Sequence, residues 1–409
     1  MVSLAQPYDV QTLDTLVKRV LRVESFTLGD NKQYVVRYRG RLYSEDTEAA
    51  YDQLASLVKP YGLTPLFRWD GDQHVVLLIP ELKKPLPSNP RLNLILFILT
   101  VLSVLFTGAL TSLPEPPSGD LGQVILAYLK AGWPFALSVI AILGSHELGH
   151  YFAGRFHGVH VTLPYFIPLP VLSPLGTMGA VISMKEPPKN RNQLLDIGIM
   201  GPLAGLLVTL PVLYIGLHLS HLETLPTTFS SGEMLQLEGN SIVYLLMKFL
   251  VFGKLLPAPS TYGSISPILY WIRYFFTGTP IPLGGTDVMI SPVAFAGWAG
   301  LLVTMMNLIP AGQLDGGHML YVLFGQKKAV RVLPFILGAL VLLSFFWLGW
   351  TIWIVLILLF GRFHAEPLDL ITPLGGNRKV LALLALVLFV LIFVPIPFVV
   401  APGPLSLLR

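Results

Sequence analysis

Residues 127–158 read AYLKAGWPFALSVIAILGSHELGHYFAGRFHG, in which Ala131 to Ser145 carry no charge and lead directly into His146-Glu147-Leu148-Gly149-His150. The surrounding apolar run, about 122–157, is long enough as a helix to cross roughly 30 Å of hydrocarbon. On a helix with about 3.6 residues per turn, positions 146 and 150 differ by about 40° after one full turn, so both imidazoles point at one spot. Glu147 lies about 100° further round, poorly placed as a third ligand but close enough to meet a water on an ion shared by the two rings. An ionisable side chain within a span costs at least about 2.5–3.5 kcal/mol on insertion scales, so three adjacent ones require pairing, water or a metal. The segment therefore reads as a membrane span that carries a candidate metal site.

The rest of the chain agrees with a membrane-embedded body. Of 409 residues, 53% are hydrophobic and 12% charged, against about 25% charged in a soluble domain. Residues 1–90 hold 11 Lys/Arg and 11 Asp/Glu, and the other 319 residues hold only 16 and 12, separated by long apolar runs. The net charge of +4 is scattered rather than clustered, which argues against a nucleic-acid partner. With no cysteine, thiolate metal sites and a cysteine nucleophile are excluded, leaving His, Asp and Glu as metal ligands.

Reading outward, RLNLILFILTVLSVLFTGALTSL from Arg91 is a first span and PEPPSGD breaks it. No basic cluster followed by an apolar core precedes it, so this span is expected to target the chain. After the quoted segment come a Pro/Gly-rich loop at 158–193, a span from Asp196 to about Leu219, and two shorter apolar pieces at 241–256 and 265–277. A further span runs from about Ser291 to beyond Asp315, the stretch 332–360 is long for one crossing and short for two, and a last span lies near 380–400. Lys and Arg gather in 1–91, 155–191 and 327–331 while 114–121 and 218–240 have none, so the positive-inside rule puts the N-terminal region in the cytoplasm.

In residues 1–90 a helical stretch near 9–23 gives way to alternation in Tyr34–Tyr43, helix at 45–60, and strands at 63–69 and 73–80 joined by a hairpin at Asp70-Gly71. The expected organisation is a soluble α/β domain at 1–85, a Pro-rich linker at 86–90 and a transmembrane domain at 91–402. The fold class is a polytopic α-helical membrane protein with six or more transmembrane helices, a zinc site between two of them, and a small N-terminal α/β cytoplasmic domain.

A catalytic zinc needs a third protein ligand, and the ionisable residues near span ends are Asp196, Asp287, Asp315 and His318. Asp315 follows Pro310 and Gly312, which break regular backbone in an apolar region and are tolerated there only where the freed groups line protein or a wet cavity. HELGH at 146–150, followed far downstream by NLIPAGQLDGGH at 307–318, resembles the paired signatures of the site-2 proteases, zinc intramembrane metalloproteases of peptidase family M50. GTMGAVISM at 176–184 and DIGIMGPLAG at 196–205 are similar to stretches that follow the first motif in that family. The resemblance covers about 91–400, and without an evident PDZ insertion it is more similar to the bacterial and plastid-type branch. It implies one Zn2+ per chain held by His146, His150 and Asp315, Glu147 as the base, and a single-pass membrane protein as substrate, hydrolysed in the lipid bilayer. A bacterial cytoplasmic membrane is the expected location. The oligomeric state is not legible.

Other residues have two readings each. Asn307 either points its amide at the scissile carbonyl or caps backbone near Pro310. His318 either orients a ligand or is a polar residue at the membrane exit. His157 and His160 read as surface loop residues. Gly176 to Met184 combines glycines with alternating Thr177, Gly179, Val181 and Ser183, and is either an edge strand presenting backbone to an unwound substrate, with Gly176, Thr177 and Gly179 as its presenting residues, or plain loop. Gly201 to Gly205 has the small-xxx-small spacing of close helix packing. Aspartyl and serine intramembrane mechanisms lack their motifs. The alternative from another class is a zinc-binding transporter or scaffold, for which Glu147 would be surplus.

Overall fold

The computed structural model describes residues 9–29, 33–82, 89–228, 234–360 and 366–401. At the N-terminal end, α1 (Val10–Val17), β1 (Leu21–Leu28), β2 (Val36–Leu42), α2 (Thr47–Val58), β3 (Leu63–Asp70) and β4 (Gln73–Pro80) build a four-stranded antiparallel sheet in the order β1-β2-β4-β3 with two helices. Alternation in β2 sends Val36 and Tyr38 inward and Arg37 and Arg39 outward. The Asp46 carboxylate caps α2 at Ala49 N, and Ala50, Leu54 and Val58 bury one face of it. Asp70 pairs with Gln73 across a two-residue turn in which Gly71 takes φ +63°. The helical stretch expected at 9–23 ends at Val17, and β1 follows it. This edge strand is mostly exposed and bulges between Val23 and Ser25, so its alternation is faint in the sequence.

The domain is not closed by its own residues. A strap at 366–375 runs along β3: Phe67 N donates to Leu368 O, and Leu370 N to Phe67 O, each at 3.0 Å. Ile371 is buried in the same core as Val36, Tyr51 and Phe67. The expected 1–85 unit therefore omits a piece from the far end of the chain, and residues 83–88, which include part of the expected linker, fall outside the described residues.

Three helices among the described residues are long and apolar enough to cross a membrane: α3 (Pro90–Ser112), α4 (Leu121–Phe156) and α5 (Arg191–His218). Asn89, Asp120 and Asn190 cap their first turns through side-chain oxygens. Between α4 and α5, β5 (Tyr165–Pro168) and β6 (Thr177–Val181) form a hairpin that lies along α3. Asn93 Nδ2 donates to Leu163 O at 3.0 Å and Pro164 O at 2.9 Å, and Ser103 Oγ donates to Gly176 O at 2.5 Å. Those two anchors are about 15 Å apart along the helix at 1.5 Å per residue, so the hairpin re-enters the depth that α3 traverses.

Helix α5 is central, packing on α4 on one side and on α8 (Pro292–Asn307) on the other. Its exit end meets a cap of short elements: β7 (His221–Thr224), β8 (Leu235–Glu238), α6 (Ile242–Phe252), α7 (Pro267–Thr277) and β9 (Thr286–Met289), with β7 paired to β9. The apolar pieces expected at 241–256 and 265–277 are α6 and α7. The span expected from Ser291 past Asp315 is broken: α8 stops at Asn307, residues 308–314 are irregular with Gly312 at φ +59°, and α9 (Asp315–Phe324) starts afresh. The long stretch 332–360 divides into α10 (Gln326–Ser344) and α11 (Gly349–Phe360). The last span is α12 (Gly376–Ile392), after which β10 (Phe398–Ala401) pairs with β8 in the cap.

Candidate metal centre

Helix α4 delivers His146 and His150 to its α5 side, with their Nε2 atoms 3.3 Å apart. The irregular 308–314 segment turns the start of α9 towards them, and Asp315 Oδ2 lies 3.5 Å from His146 Nε2 and 3.4 Å from His150 Nε2. Gly316 permits that turn, because a Cβ there would sit 2.0 Å from Leu308 O. These are the three donors that Asp315 and the HExxH pattern were expected to bring together, and no other His, Cys, Asp or Glu trio with such spacing occurs among the described residues.

The donor set fits zinc. Its triangle is close to equilateral, and bonds of about 2.0–2.1 Å in tetrahedral geometry place ligand atoms about 3.3–3.4 Å apart. The ring tautomer is also suited: the His150 ring bonds Ile197 O through Nδ1 at 2.7 Å, so Nδ1 carries the proton and the Nε2 lone pair faces the centre. With the His146 Nε2 and a carboxylate oxygen facing it, that lone pair completes a donor set that a cation would satisfy.

Packing holds the rings from the α5 side. A Cβ on Gly201 would lie 2.1 Å from His150 Nε2, and one on Gly205 would lie 3.2 Å from His146 Cβ. The small-residue spacing of 201–205 is thus packing, but packing against the imidazoles themselves. Glu147 is buried and lines the same cavity of about 200 Å³, together with Asn307, Gln313, His318 and the β6 residues Ala180 and Val181. Asn307 Nδ2 comes within 3.5 Å of His146 Nε2, which puts its amide in the cavity.

Other expected positions fall elsewhere. Gly176 (φ +73°) packs against α3, where a Cβ would meet Thr107 Oγ1 at 2.7 Å, and Thr177 is buried with its hydroxyl donating to Ile167 O at 2.8 Å. Neither lines the cavity, nor does Gly179; residues 180–182 do. Asp287 sits on β9 at the far end of α8, 3.7 Å from the buried Lys248 Nζ, and so belongs to a separate polar cluster with Glu238 and Tyr244. Asp196 is taken by Arg378 and His157. His157 is therefore bonded and largely covered rather than a plain surface residue, whereas His160 is exposed and paired with Glu186. Ile197 O, Gln313 and the strap were missed; a backbone carbonyl carries no side-chain signature to read.

With this geometry in place, sequence comparison is informative. Residues 134–346 match peptidase family M50, which is more than half of the chain. The chain belongs to peptidase family M50. Within it, the chain is 26% identical over 415 residues to the probable zinc metalloprotease EGY2, chloroplastic, of Oryza sativa subsp. indica, covering 97% of this chain and 68% of the relative. It is 30% identical over 343 residues to the Arabidopsis thaliana probable zinc metalloprotease EGY1, chloroplastic, covering 78% of this chain and 56% of the relative. The protein is accordingly an M50 zinc metalloprotease, as its paired motifs led one to expect. These relatives are named as chloroplastic, so they give no support to a bacterial cytoplasmic membrane.

Proposed function

We propose that this M50 protein is an intramembrane protease in which His146, His150 and Asp315 hold one zinc ion, Glu147 is the general base, and the substrate is a single-pass membrane protein. The observation that carries the reading is the near-equilateral triangle of donors, 3.3–3.5 Å on a side, set within the length of a membrane-crossing helix beside a buried glutamate. The helices α8 to α12 extend the three long spans towards the six or more crossings that such a body needs.

Zinc at this position would supply Lewis acidity, polarising the scissile carbonyl and making water ionisable near neutral pH. Glu147 then removes a proton from the attacking water at its carboxylate and returns it to the leaving amine. Asn307 donates through Nδ2 towards the carbonyl oxygen as negative charge develops. Ile197 O holds the His150 ring in one tautomer throughout. A helical substrate hides its amides in its own hydrogen bonds, so it must unwind locally, and residues 180–182, at the end of β6 and one residue beyond it, offer cavity-side backbone for the unwound segment to pair with.

The decisive experiment is Glu147→Gln, read by zinc content and by cleavage of a membrane-anchored substrate. Retained zinc with cleavage lost supports the reading. Undiminished cleavage rejects Glu147 as base and restores the carrier alternative.

A further inference from the structure

Asp196 stands one residue before Ile197, whose carbonyl accepts the His150 Nδ1 proton at 2.7 Å. Both of its carboxylate oxygens are engaged. Arg378, in the first turn of α12, donates from Nε to Oδ1 at 2.8 Å and from Nη2 to Oδ2 at 2.7 Å. His157, at the C-terminal cap of α4, places Nε2 2.9 Å from Oδ2. The ends of three helices thus converge on one carboxylate, in the bidentate geometry that gives a charged hydrogen bond its directional strength.

A second lock lies one turn earlier on the same face of α5. Asn192 Oδ1 accepts from Gly375 N at 3.0 Å, and its Nδ2 donates to Pro373 O at 3.3 Å. With Asn192 and Asp196 both bonded to the start of α12, and Asp196 also to His157 at the end of α4, rotating or sliding the first turns of α5 would break these contacts. Any such movement would reach His150 by two routes, the Ile197 carbonyl and the close approach of Gly201 to the ring.

We propose that Asp196 is a positioning residue: clamped by Arg378 and His157, it holds the Ile197 carbonyl in the place that orients the His150 imidazole for metal binding. This rests on His150 being a zinc ligand. Outer partners of metal-bound histidines commonly govern about 10–100-fold in affinity. The clamp acts one step further out, through a rigid helix turn.

The test uses the full-length protein in detergent, with zinc affinity measured by chelator competition and ligand geometry by the visible absorption of the cobalt-substituted protein. Asp196→Ala is expected to weaken zinc binding by about 10–100-fold, to shift the cobalt spectrum, and to lower kcat for a membrane-anchored substrate with little change in KM. Arg378→Lys, which keeps the charge but loses the two-pronged contact, should fall between Asp196→Ala and wild type. A general loss of packing would lower the unfolding temperature of the metal-free protein without altering the cobalt spectrum of the folded fraction. Wild-type zinc affinity and cobalt spectrum in Asp196→Ala overturn the proposal. Should that variant not fold, the same wild-type result in Arg378→Lys overturns it. His150→Ala separates the two layers: if it loses the metal while Asp196→Ala does not, the ligand assignment stands and the clamp falls; if it keeps the metal, the ligand assignment itself is wrong.

Discussion

Two imidazoles with Nε2 atoms 3.3 Å apart are held in that relation by a glycine on the neighbouring helix. A methyl at Gly201 would overlap the His150 ring, whose Nε2, Cε1 and Cδ2 atoms all lie within 2.1–2.5 Å of the Cβ position. The ring must then turn off its bond to Ile197 O or α5 must retreat. Gly201→Ala should therefore weaken zinc binding by about 10-fold or more in chelator competition, with the unfolding temperature of the metal-free protein affected far less. Unaltered zinc affinity would mean that α5 yields at no cost to the centre. At this scale the sequence was informative where side chains repeat with helical period: His146, Glu147 and His150 announce themselves by spacing. It was silent where backbone does the work. Ile197 looks like any apolar residue of α5, and Asp196 was visible only as a possible ligand, because nothing in a sequence tells that Arg378, 182 positions later, will take it.

The elements repeat that contrast. Continuous apolar runs such as α3 and α5 were readable because length and hydropathy alone decide them. The region from Ser291 past Asp315 reads as one span, yet it is broken at 308–314, since hydropathy does not distinguish a helix from irregular backbone packed within protein. The alternation in 176–184 falls on the β5–β6 hairpin, but the residues that line the cavity are not the ones expected: Gly176 and Thr177 shape and seat the hairpin on α3, while 180–182 face the cavity. This locates the test of substrate pairing. A proline at Gly179 is barred by φ +99° and would damage the hairpin itself. Ile182 lies just beyond the β5–β6 ladder and lines the cavity, so Ile182→Pro removes one amide without removing a rung. Turnover of a membrane-anchored substrate is expected to drop by about 10-fold, the scale of one or two lost hydrogen bonds, with zinc affinity intact. Equal turnover would exclude strand pairing at this position.

Across the whole molecule, the N-terminal domain and the metal centre are joined by the strap. Asp369 N donates to Lys189 O at 2.7 Å and Leu368 N to Pro188 O at 3.1 Å, while the other edge of the same strap bonds Phe67. Lys189 Nζ reaches Glu48 and Asp52 of α2 at 2.8 Å each. The strap thus extends the sheet to the threshold of α5. No local pattern forecasts this, because the strap is short and joined through backbone, and its partners on β3 lie some 300 positions away. Ile371→Ala deletes a buried side chain from the N-terminal core and should cost about 2–4 kcal/mol, seen as earlier proteolysis of residues 10–80 on heating the full chain; unchanged resistance would show that the domain closes without the strap. Asp369 offers a pH test with a definite sign. Burial pushes its carboxyl above the ordinary 3.8, outweighing the hydrogen bonds from Thr372 and Ile371 that favour the charged form. A group with a raised folded-state value stabilises fully only below its unfolded value, and that contribution is lost as pH climbs through the folded one. Ionising this carboxyl as pH rises therefore works against its burial. Asp369→Asn keeps an oxygen to accept from Ile371 N and Thr372 N but removes the charge. Its domain should resist heating better than wild type at pH 7, with the difference shrinking towards pH 4; a variant weaker than wild type at pH 7 alone would assign the strap's hold to the carboxylate's charge, and one weaker at both values would assign it to the Oδ2 acceptor that Thr372 Oγ1 uses.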